Sequence, residues 1–325
     1  MMELRRRKRS NDHEDRKSRK DLESERSDSG SDPASPARPN EKHRTMIHPE
    51  MDDTVLSQSI LETLVITPAS VKVRAVGWVR RLQRDGAGAV AELVDLIPQA
   101  VRGLKAHAAP FVEARHIIQD EPDEARSQME TQLIQEDEEA TVEELVPNVM
   151  GKDRPSKIFT KALEQFFIQV TTMCPVELFS QSDAFETILG WIQALSLSSL
   201  REMRFTATRA GYGLMTGIIQ VHARLTQTAI TLEKQLAIDT KRGRSSEKSV
   251  PGLREKLSVV SQGVTELVQL MELAFTGVFV LRYRDVVPEI REFSLISLGS
   301  WICSSPKTFL DDSYLKYLGW MLSDR

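Results

Sequence analysis

Residues able to support catalysis are few and scattered in this chain of 325 residues. The two cysteines, Cys174 and Cys303, sit among apolar neighbours, which predicts core thiols for both. Outside the first fifty residues the histidines are isolated, at His107, His116 and His222. The sequence has no glycine-rich phosphate loop, no His-x-x-x-His pair and no nucleophile elbow. We therefore expect a protein that is not an enzyme and that needs no metal and no cofactor.

Short basic clusters are the most distinctive feature of the N-terminus. Residues 1–50 hold 13 Lys/Arg and 11 Asp/Glu but only eight apolar residues, which predicts a disordered tail because so little apolar area cannot offset chain entropy. Two clusters in it predict a nuclear import signal, single or bipartite. The alternatives are a solvated charge run or a loose arm on nucleic acid. The import residues are Arg5, Arg6, Arg7, Lys8, Arg9, Arg16, Lys17, Arg19 and Lys20.

The overall composition excludes several classes of protein. A net charge of −4 argues against a uniformly basic nucleic-acid coat, and two cysteines cannot build a disulfide framework. The charged N-terminus is unlike a secretory signal, and no run of 18 apolar residues occurs, so we expect an intracellular, soluble chain without a membrane span. Residues 120–145 carry eleven Asp/Glu and one Arg. We expect a solvated loop with some helix there, in preference to an acidic metal site.

The spacing of apolar residues predicts helices from about residue 52 onward. Leu56, Ile60 and Leu64 lie four apart, as on one helix face, and no segment alternates as a strand would. Residues 198–283 hold two long helical stretches joined by a polar turn, which predicts an antiparallel hairpin. Helix pairs in series indicate an all-α fold, a HEAT/armadillo-like α-solenoid with this long hairpin, preceded by the disordered tail.

Local signals indicate how some of these helices begin and pack. Gly213 and Gly217 fall inside the first long stretch, where glycine permits close helix contact at a cost of about 1 kcal/mol each against alanine. Asp285 can cap a helix that has Pro288 in its first turn.

The last helix carries two different faces. Ser305-Pro306 predicts its start, and the stripe of Leu310, Tyr314, Tyr317, Leu318 and Met321 predicts its buried side. Asp312, Lys316 and Trp320 lie four apart on another face, which predicts one exposed line of side chains.

Two sequence blocks at this end resemble a known family. Residues 277–291, GVFVLRYRDVVPEIR, and residues 309–320, FLDDSYLKYLGW, resemble the start of the stromalin conservative domain. That domain marks the stromal-antigen (SCC3-type) subunit of cohesin. Thinner, collinear similarity at residues 78–81, 91–97 and 203–208 extends the resemblance over about residues 70–325.

This resemblance implies a non-catalytic helical scaffold of the nucleus and chromosome. The family acts in sister-chromatid cohesion and chromatin organisation, and its partners are the kleisin subunit, the SMC ATPase ring, DNA and regulatory proteins with short aromatic motifs. We expect a tail at 1–50, an N-terminal helical region at 51–275, and the truncated start of the conserved domain at 276–325.

The resemblance also implies roles for individual residues. In some relatives, residues matching Tyr283, Asp312, Lys316 and Trp320 contribute, together with the kleisin, to a groove for aromatic peptides. The alternative is that Trp320 packs against a following repeat.

Family members contact DNA through basic residues of their N-terminal helices. The candidates here are Lys152, Arg154, Lys157, Lys161, Lys241, Arg242, Arg244 and Lys248. Clustered Lys/Arg suffice for phosphate contact, so a merely solvated basic face is the alternative reading for both groups.

Family members are longer than this chain. From the uncapped end of such a solenoid we expect the 325-residue chain alone to be unstable or to self-associate. Two other functions stay open: a helical-repeat adaptor in nuclear transport or trafficking, and a DNA-binding protein that acts through its basic tail.

Overall fold

The computed structural model describes residues 58–102, 109–119, 121–138, 147–242 and 249–322. The N-terminal tail and its import clusters lie outside these residues. Within the described part of the chain every regular element is a helix, which confirms the expected all-α class. The α-helices are α1 (Ile60–Ile66), α2 (Val71–Leu82), α3 (Gly86–Arg102), α4 (Ala114–Gln119), α5 (Pro122–Glu138), α6 (Arg154–Thr172), α7 (Val176–Gln181), α8 (Ala184–Ser196), α9 (Arg201–Arg242), α10 (Val250–Ala274), α11 (Pro288–Ser304), α12 (Pro306–Phe309) and α13 (Asp312–Met321). Helix α10 continues through a π-helical turn (Phe275–Phe279) into a final turn (Val280–Arg282).

Side-chain caps begin several of these helices. Ser59 and Glu62 form a capping box at α1, in which each side chain accepts the backbone N–H of the other residue. Asp153 accepts the Ser156 N–H at α6, and Asp311 caps α13 in the same way. These caps satisfy N–H groups that the first turn of a helix leaves without partners.

Two predictions of helix boundaries are wrong. Residues 122–138 form the 17-residue helix α5 where a solvated loop with only some helix was expected, because Ala125, Met129 and Leu133 are buried against the core. The last helix does not run on from Pro306, because α12 ends at Phe309 and α13 starts anew after Asp311. Leu310 therefore lies between helices and is 61 % exposed instead of buried.

Helix α9 is the centre of the fold, and it packs on α6, α8, α10 and α11. Gly213 and Gly217 allow its close approach to α6. A Cβ at Gly213 would lie 3.0 Å from the carbonyl oxygen of Glu164, and one at Gly217 would lie 2.9 Å from that of Ile168. Any side chain at these positions would push the two helices apart, which explains these two glycines.

Helices α9 and α10 form the expected long hairpin. The helix Val250–Arg282 is long and apolar enough, by length and composition alone, to cross a membrane, with a mean hydropathy of 1.6 over its most apolar window. In this fold 44 % of that window is buried, and Leu267, Leu270 and Met271 belong to the core. The packing of this helix on α9 accounts for its apolar composition.

A buried carboxylate joins the two ends of the hairpin. The Asp285 side chain, 1 % exposed, accepts hydrogen bonds from Arg204 Nε at 3.0 Å, Arg282 Nη1 at 2.8 Å and the Val287 N–H at 2.8 Å. Arg204 also donates to the Ser198 carbonyl at 2.8 Å. Burial lowers the pKa of Arg282, and the charge of Asp285 opposes that shift. Asp285 therefore ties α9 to the end of the α10 helix, and it is not the N-cap of α11, a position held by Val287.

We predict that Asp285→Ala destabilises the chain by about 3–5 kcal/mol, because it leaves two largely buried guanidinium groups without their counter-charge. Asp183→Ala is the matched control, since Asp183 is exposed and its side chain makes no capping bond at α8. Urea unfolding followed by circular dichroism measures both. Equal losses in the two variants would contradict the role given to Asp285.

Candidate functional site

A column of aromatic rings leads from the core to the surface at the C-terminal end. Phe275 and Phe279 stack with ring centroids 4.6 Å apart, and Phe279 stacks on Tyr283 at 5.9 Å. Tyr283 in turn stacks on Trp320 of α13 at 6.4 Å. The π-helical turn Phe275–Phe279 supplies the first two rings, and such turns change the direction in which side chains project. The position of Trp320 is therefore set by packed rings behind it.

Trp320 lies at the centre of a surface that we call the Trp320 patch, formed by Tyr283, Arg284, Lys316, Tyr317 and Trp320. The indole is 51 % exposed, whereas Tyr283 and Tyr317 are buried beneath it. The guanidinium carbon of Arg284 lies 5.2 Å from the indole centroid, and Lys316 Nζ lies 5.8 Å from it. Both cations are within the range of a cation–π interaction.

The chemistry of the Trp320 patch suits a short peptide. A half-exposed indole offers a flat apolar surface on which an aromatic or aliphatic side chain can stack. Arg284 and Lys316 beside it offer donors to a carboxylate. An aromatic residue next to an acidic residue would use both features together.

The structure brings together three of the four groove residues expected from the sequence, namely Tyr283, Lys316 and Trp320. Asp312 lies exposed on the same helix, one turn before Lys316. Sequence reasoning did not include Arg284 in the site, although it follows Tyr283 directly. It assigned Tyr317 only to the buried side of the helix, where it is found, 7 % exposed. The structure shows that its ring also contacts Trp320, at 5.4 Å.

Three of the candidate DNA-contact lysines gather at a cleft. Lys152, Lys157 and Lys161 are exposed and line a cleft of 340 Å³ between the start of α6 and α11. Glu289 and Glu292 of α11 form part of the same lining, and Lys152 Nζ lies 3.8 Å from Glu289. The lysines are thus accessible to an anion, but acidic side chains share their cleft.

An arginine in the floor of this cleft is held by aromatic rings. The guanidinium carbon of Arg209 lies 4.8 Å from the Phe205 ring centroid and 4.0 Å from that of Phe293. Arg209 also pairs with Glu164 at 3.4 Å. Burial lowers the pKa of Arg209 and raises the pKa of Glu164. This pair joins α9 to α6, which leaves the lysines as the outward-facing cations of the cleft.

The remaining predicted site residues lie apart from these two surfaces. Arg154 is exposed in the first turn of α6, and Lys241 is exposed near the end of α9. The backbone of Arg242 ends α9, and its side chain lies outside the described part. Arg244 and Lys248 lie wholly outside it, as do the import clusters.

The cysteines differ from each other, contrary to the expectation for both. Cys174 is buried, and burial raises the pKa of its thiol to about 12, so it is an inert core residue. Cys303 is exposed on α11. No three His, Cys, Asp or Glu side chains in the described ranges come together as metal ligands would.

Comparison with known protein families gives two matches in order along the chain. The STAG domain matches residues 148–256, which run from the start of the cleft through α9 into α10. The stromalin conservative domain matches residues 284–325, which include most of the Trp320 patch.

The names of individual relatives agree with these two domain matches. Sister-chromatid cohesion protein 3 of Arabidopsis thaliana is 37 % identical over 175 residues, which cover 54 % of this chain and 16 % of that protein. Cohesin subunit psc3 of Schizosaccharomyces pombe is 38 % identical over 143 residues, which cover 44 % of this chain and 15 % of that protein. Cohesin subunit SA-3 of Homo sapiens is 32 % identical over 171 residues, which cover 52 % of this chain and 14 % of that protein. The aligned part is therefore about one sixth of each relative's length.

A solved structure shares the fold. Cohesin subunit Scc3 from Z. rouxii superposes with a TM-score of 0.69 at 20 % identity, over 82 % of this chain and 30 % of that one. The fold is therefore that of a helical solenoid, as the helix pairs in the sequence predicted. The chain thus has matches to the STAG domain and to the stromalin conservative domain, and its relatives are SCC3/SA cohesin subunits, which confirms the resemblance drawn from its sequence.

Proposed function

We propose that this chain is a non-catalytic scaffold subunit associated with cohesin, in sister-chromatid cohesion and chromatin organisation at the chromosome. The observation that carries the proposal is the ordered pair of domain matches, STAG followed by the stromalin conservative domain, on one chain. The names of its relatives, a sister-chromatid cohesion protein of a plant and cohesin subunits of yeast and human, support the same role. The expected partners are the kleisin subunit and the SMC ATPase ring.

Recovery of partners from cells tests this role. We expect the tagged full chain, purified from nuclear extract and analysed by quantitative mass spectrometry, to recover kleisin and both SMC ATPases above an untagged control. Asp285→Ala should reduce that recovery through loss of folded protein, whereas Asp183→Ala should not. Recovery of nuclear-transport or trafficking factors without cohesin subunits would contradict the proposal and support the adaptor function.

The Trp320 patch is proposed to bind regulatory proteins through short aromatic motifs. The support is the half-exposed indole, its two flanking cations and the buried rings that hold it in place. A peptide aromatic ring would stack on Trp320, and an adjacent carboxylate would pair with Lys316 or Arg284. The kleisin is expected to complete the groove, as in the family.

A synthetic peptide with one aromatic residue beside one acidic residue tests the patch. We expect it to bind the chain mixed with kleisin, and Trp320→Ala to weaken binding at least tenfold, as for a central aromatic anchor. Ile296→Ala is the control, because Ile296 is 61 % exposed on α11 and lies outside the Trp320 patch. Fluorescence anisotropy measures both variants, and equal affinities would contradict the assignment.

The basic residues at the start of α6 are proposed to contact DNA phosphates, with Lys241 at the far end of α9 as a second contact. The support is their exposure and their spacing, since Arg154, Lys157 and Lys161 lie on successive turns of one helix. Glu289 and Glu292 oppose such contact within the cleft. We therefore place the phosphate backbone along the outer side of α6.

Gel-shift titrations over a range of salt concentrations test this contact. Lys157→Glu with Lys161→Glu should weaken DNA binding and reduce the slope of log affinity against log salt by about 2, because each lost phosphate contact contributes roughly 0.9. Lys72→Glu with Lys307→Glu, at two exposed lysines elsewhere, is the charge-matched control. If a chain that starts at residue 51 fails to shift DNA, the basic tail is the binder and the α6 assignment is wrong.

A further inference from the structure

A carboxylate of the acidic helix α5 is hydrogen-bonded to a serine of the turn before α9. The carboxylate of Glu130 on α5 accepts two hydrogen bonds from Ser199, one from the backbone N–H at 3.0 Å and one from the hydroxyl at 2.6 Å. The two residues are 69 positions apart in the sequence. We call this contact the Glu130–Ser199 latch. It joins α5 to the turn that precedes α9.

Apolar packing and an arginine hydrogen bond also hold α5 in place. Ala125, Met129 and Leu133 are buried on its inner side, and Arg126 donates to the Ala194 carbonyl at 3.1 Å. Partial burial raises the pKa of Glu130, but the serine hydrogen bonds and the charge of Arg126 outweigh it, so the pKa stays below its usual range. The carboxylate in the latch is therefore fully charged at neutral pH.

The sequence and exposure of Ser199 are those of a kinase substrate. Ser199 is exposed, and Glu202 stands three positions after it, the spacing that acidophilic serine kinases select. Helix α5 offers a new anion one cation against six acidic residues. Residues 122–138 carry six Asp/Glu and one Arg, Arg126, which is already paired with Asp123 at 2.7 Å and with Glu130 at 3.6 Å.

We propose that Ser199 is a phosphorylation site and that the phosphate opens the Glu130–Ser199 latch and releases α5. The kinase transfers the γ-phosphoryl group of ATP to Ser199 Oγ. The bond from the γ-phosphorus to the bridging oxygen breaks, ADP leaves, and the hydroxyl proton passes to the catalytic base of the kinase.

The modification changes both the hydrogen bonding and the charge of the latch. The oxygen that donated to Glu130 loses its hydrogen, and the group gains a charge of about −1.5 to −2 beside that carboxylate. Like charges at hydrogen-bond distance repel, so the helix that carries Glu130 separates from the turn. The phosphate stays near Arg201 and Arg204 of α9, since Arg201 is exposed and Arg204 already contacts this turn at the Ser199 carbonyl.

Hydrogen–deuterium exchange on the full chain tests this inference. We treat the chain with ATP and a purified acidophilic kinase of the casein kinase 2 class, map the phosphate by mass spectrometry, and follow peptides of residues 122–138. Exchange there should accelerate about tenfold or more on phosphorylation, as expected for loss of a charged hydrogen bond, with α6 unchanged as an internal check of folding. Ser199→Ala should take up no phosphate at this position and should show no kinase-dependent change.

Glu130→Gln separates charge repulsion from simple loss of contact. The amide keeps an oxygen that accepts from the Ser199 N–H, and its NH₂ can donate to a phosphate. In this variant α5 should stay protected after phosphorylation. Absence of phosphate on Ser199 after complete kinase treatment would overturn the inference. Equal release of α5 in the phosphorylated Glu130→Gln variant and the phosphorylated unsubstituted chain would also overturn it. So would the absence of release in the phosphorylated unsubstituted chain. None of these outcomes depends on the proposed cohesin role, which the recovery of partners tests separately.

Discussion

The charge of Asp285 is the constraint on which the geometry of the C-terminal half depends. A carboxylate that is 1 % exposed is tolerated only with counter-charges and hydrogen bonds, and Arg204 and Arg282 supply both. These arginines belong to the beginning of α9 and to the end of the α10 helix. The two ends of a hairpin more than 80 residues long in sequence are therefore held at one point. Any shift of one long helix along the other would separate the charges.

The aromatic column begins on the helix that this point fixes. Phe275, Phe279 and Tyr283 follow one another at intervals of four residues just before Asp285, so the carboxylate and the rings share one rigid segment. Tyr212 of α9 packs edge-on against Trp301 at 5.3 Å, which adds α11 to the same assembly. Trp320 is consequently a surface residue whose ring packs on buried aromatic rings. A ligand that stacks on it meets an indole that is already oriented.

Periodicity in the sequence was sufficient for the helices, the hairpin and the line of Asp312, Lys316 and Trp320, because each depends on residues close together in the chain. It failed where distant residues decide. The sequence of helix α5 is strongly acidic, and its docking depends on apolar residues that meet the core and on Glu130, which meets Ser199 in the turn before α9. Arg284 lies before α11 and reaches Trp320 of α13 only through the tertiary fold. No spacing within one helix therefore predicts that it belongs to the Trp320 patch. The family resemblance supplied the rest of the patch, since no physical rule ranks one exposed tryptophan above another.

The turn before α9 carries two attachments of opposite character. On one side, Arg204 donates to the carbonyls of Ser198 and Ser199 and pairs with the buried Asp285. On the other side, the Ser199 hydroxyl faces Glu130 in an exposed contact. The buried attachment uses backbone carbonyls, which modification of a side chain does not alter. A change at the Ser199 hydroxyl can therefore detach α5 and leave the hairpin intact, because the two attachments share the turn but no polar group.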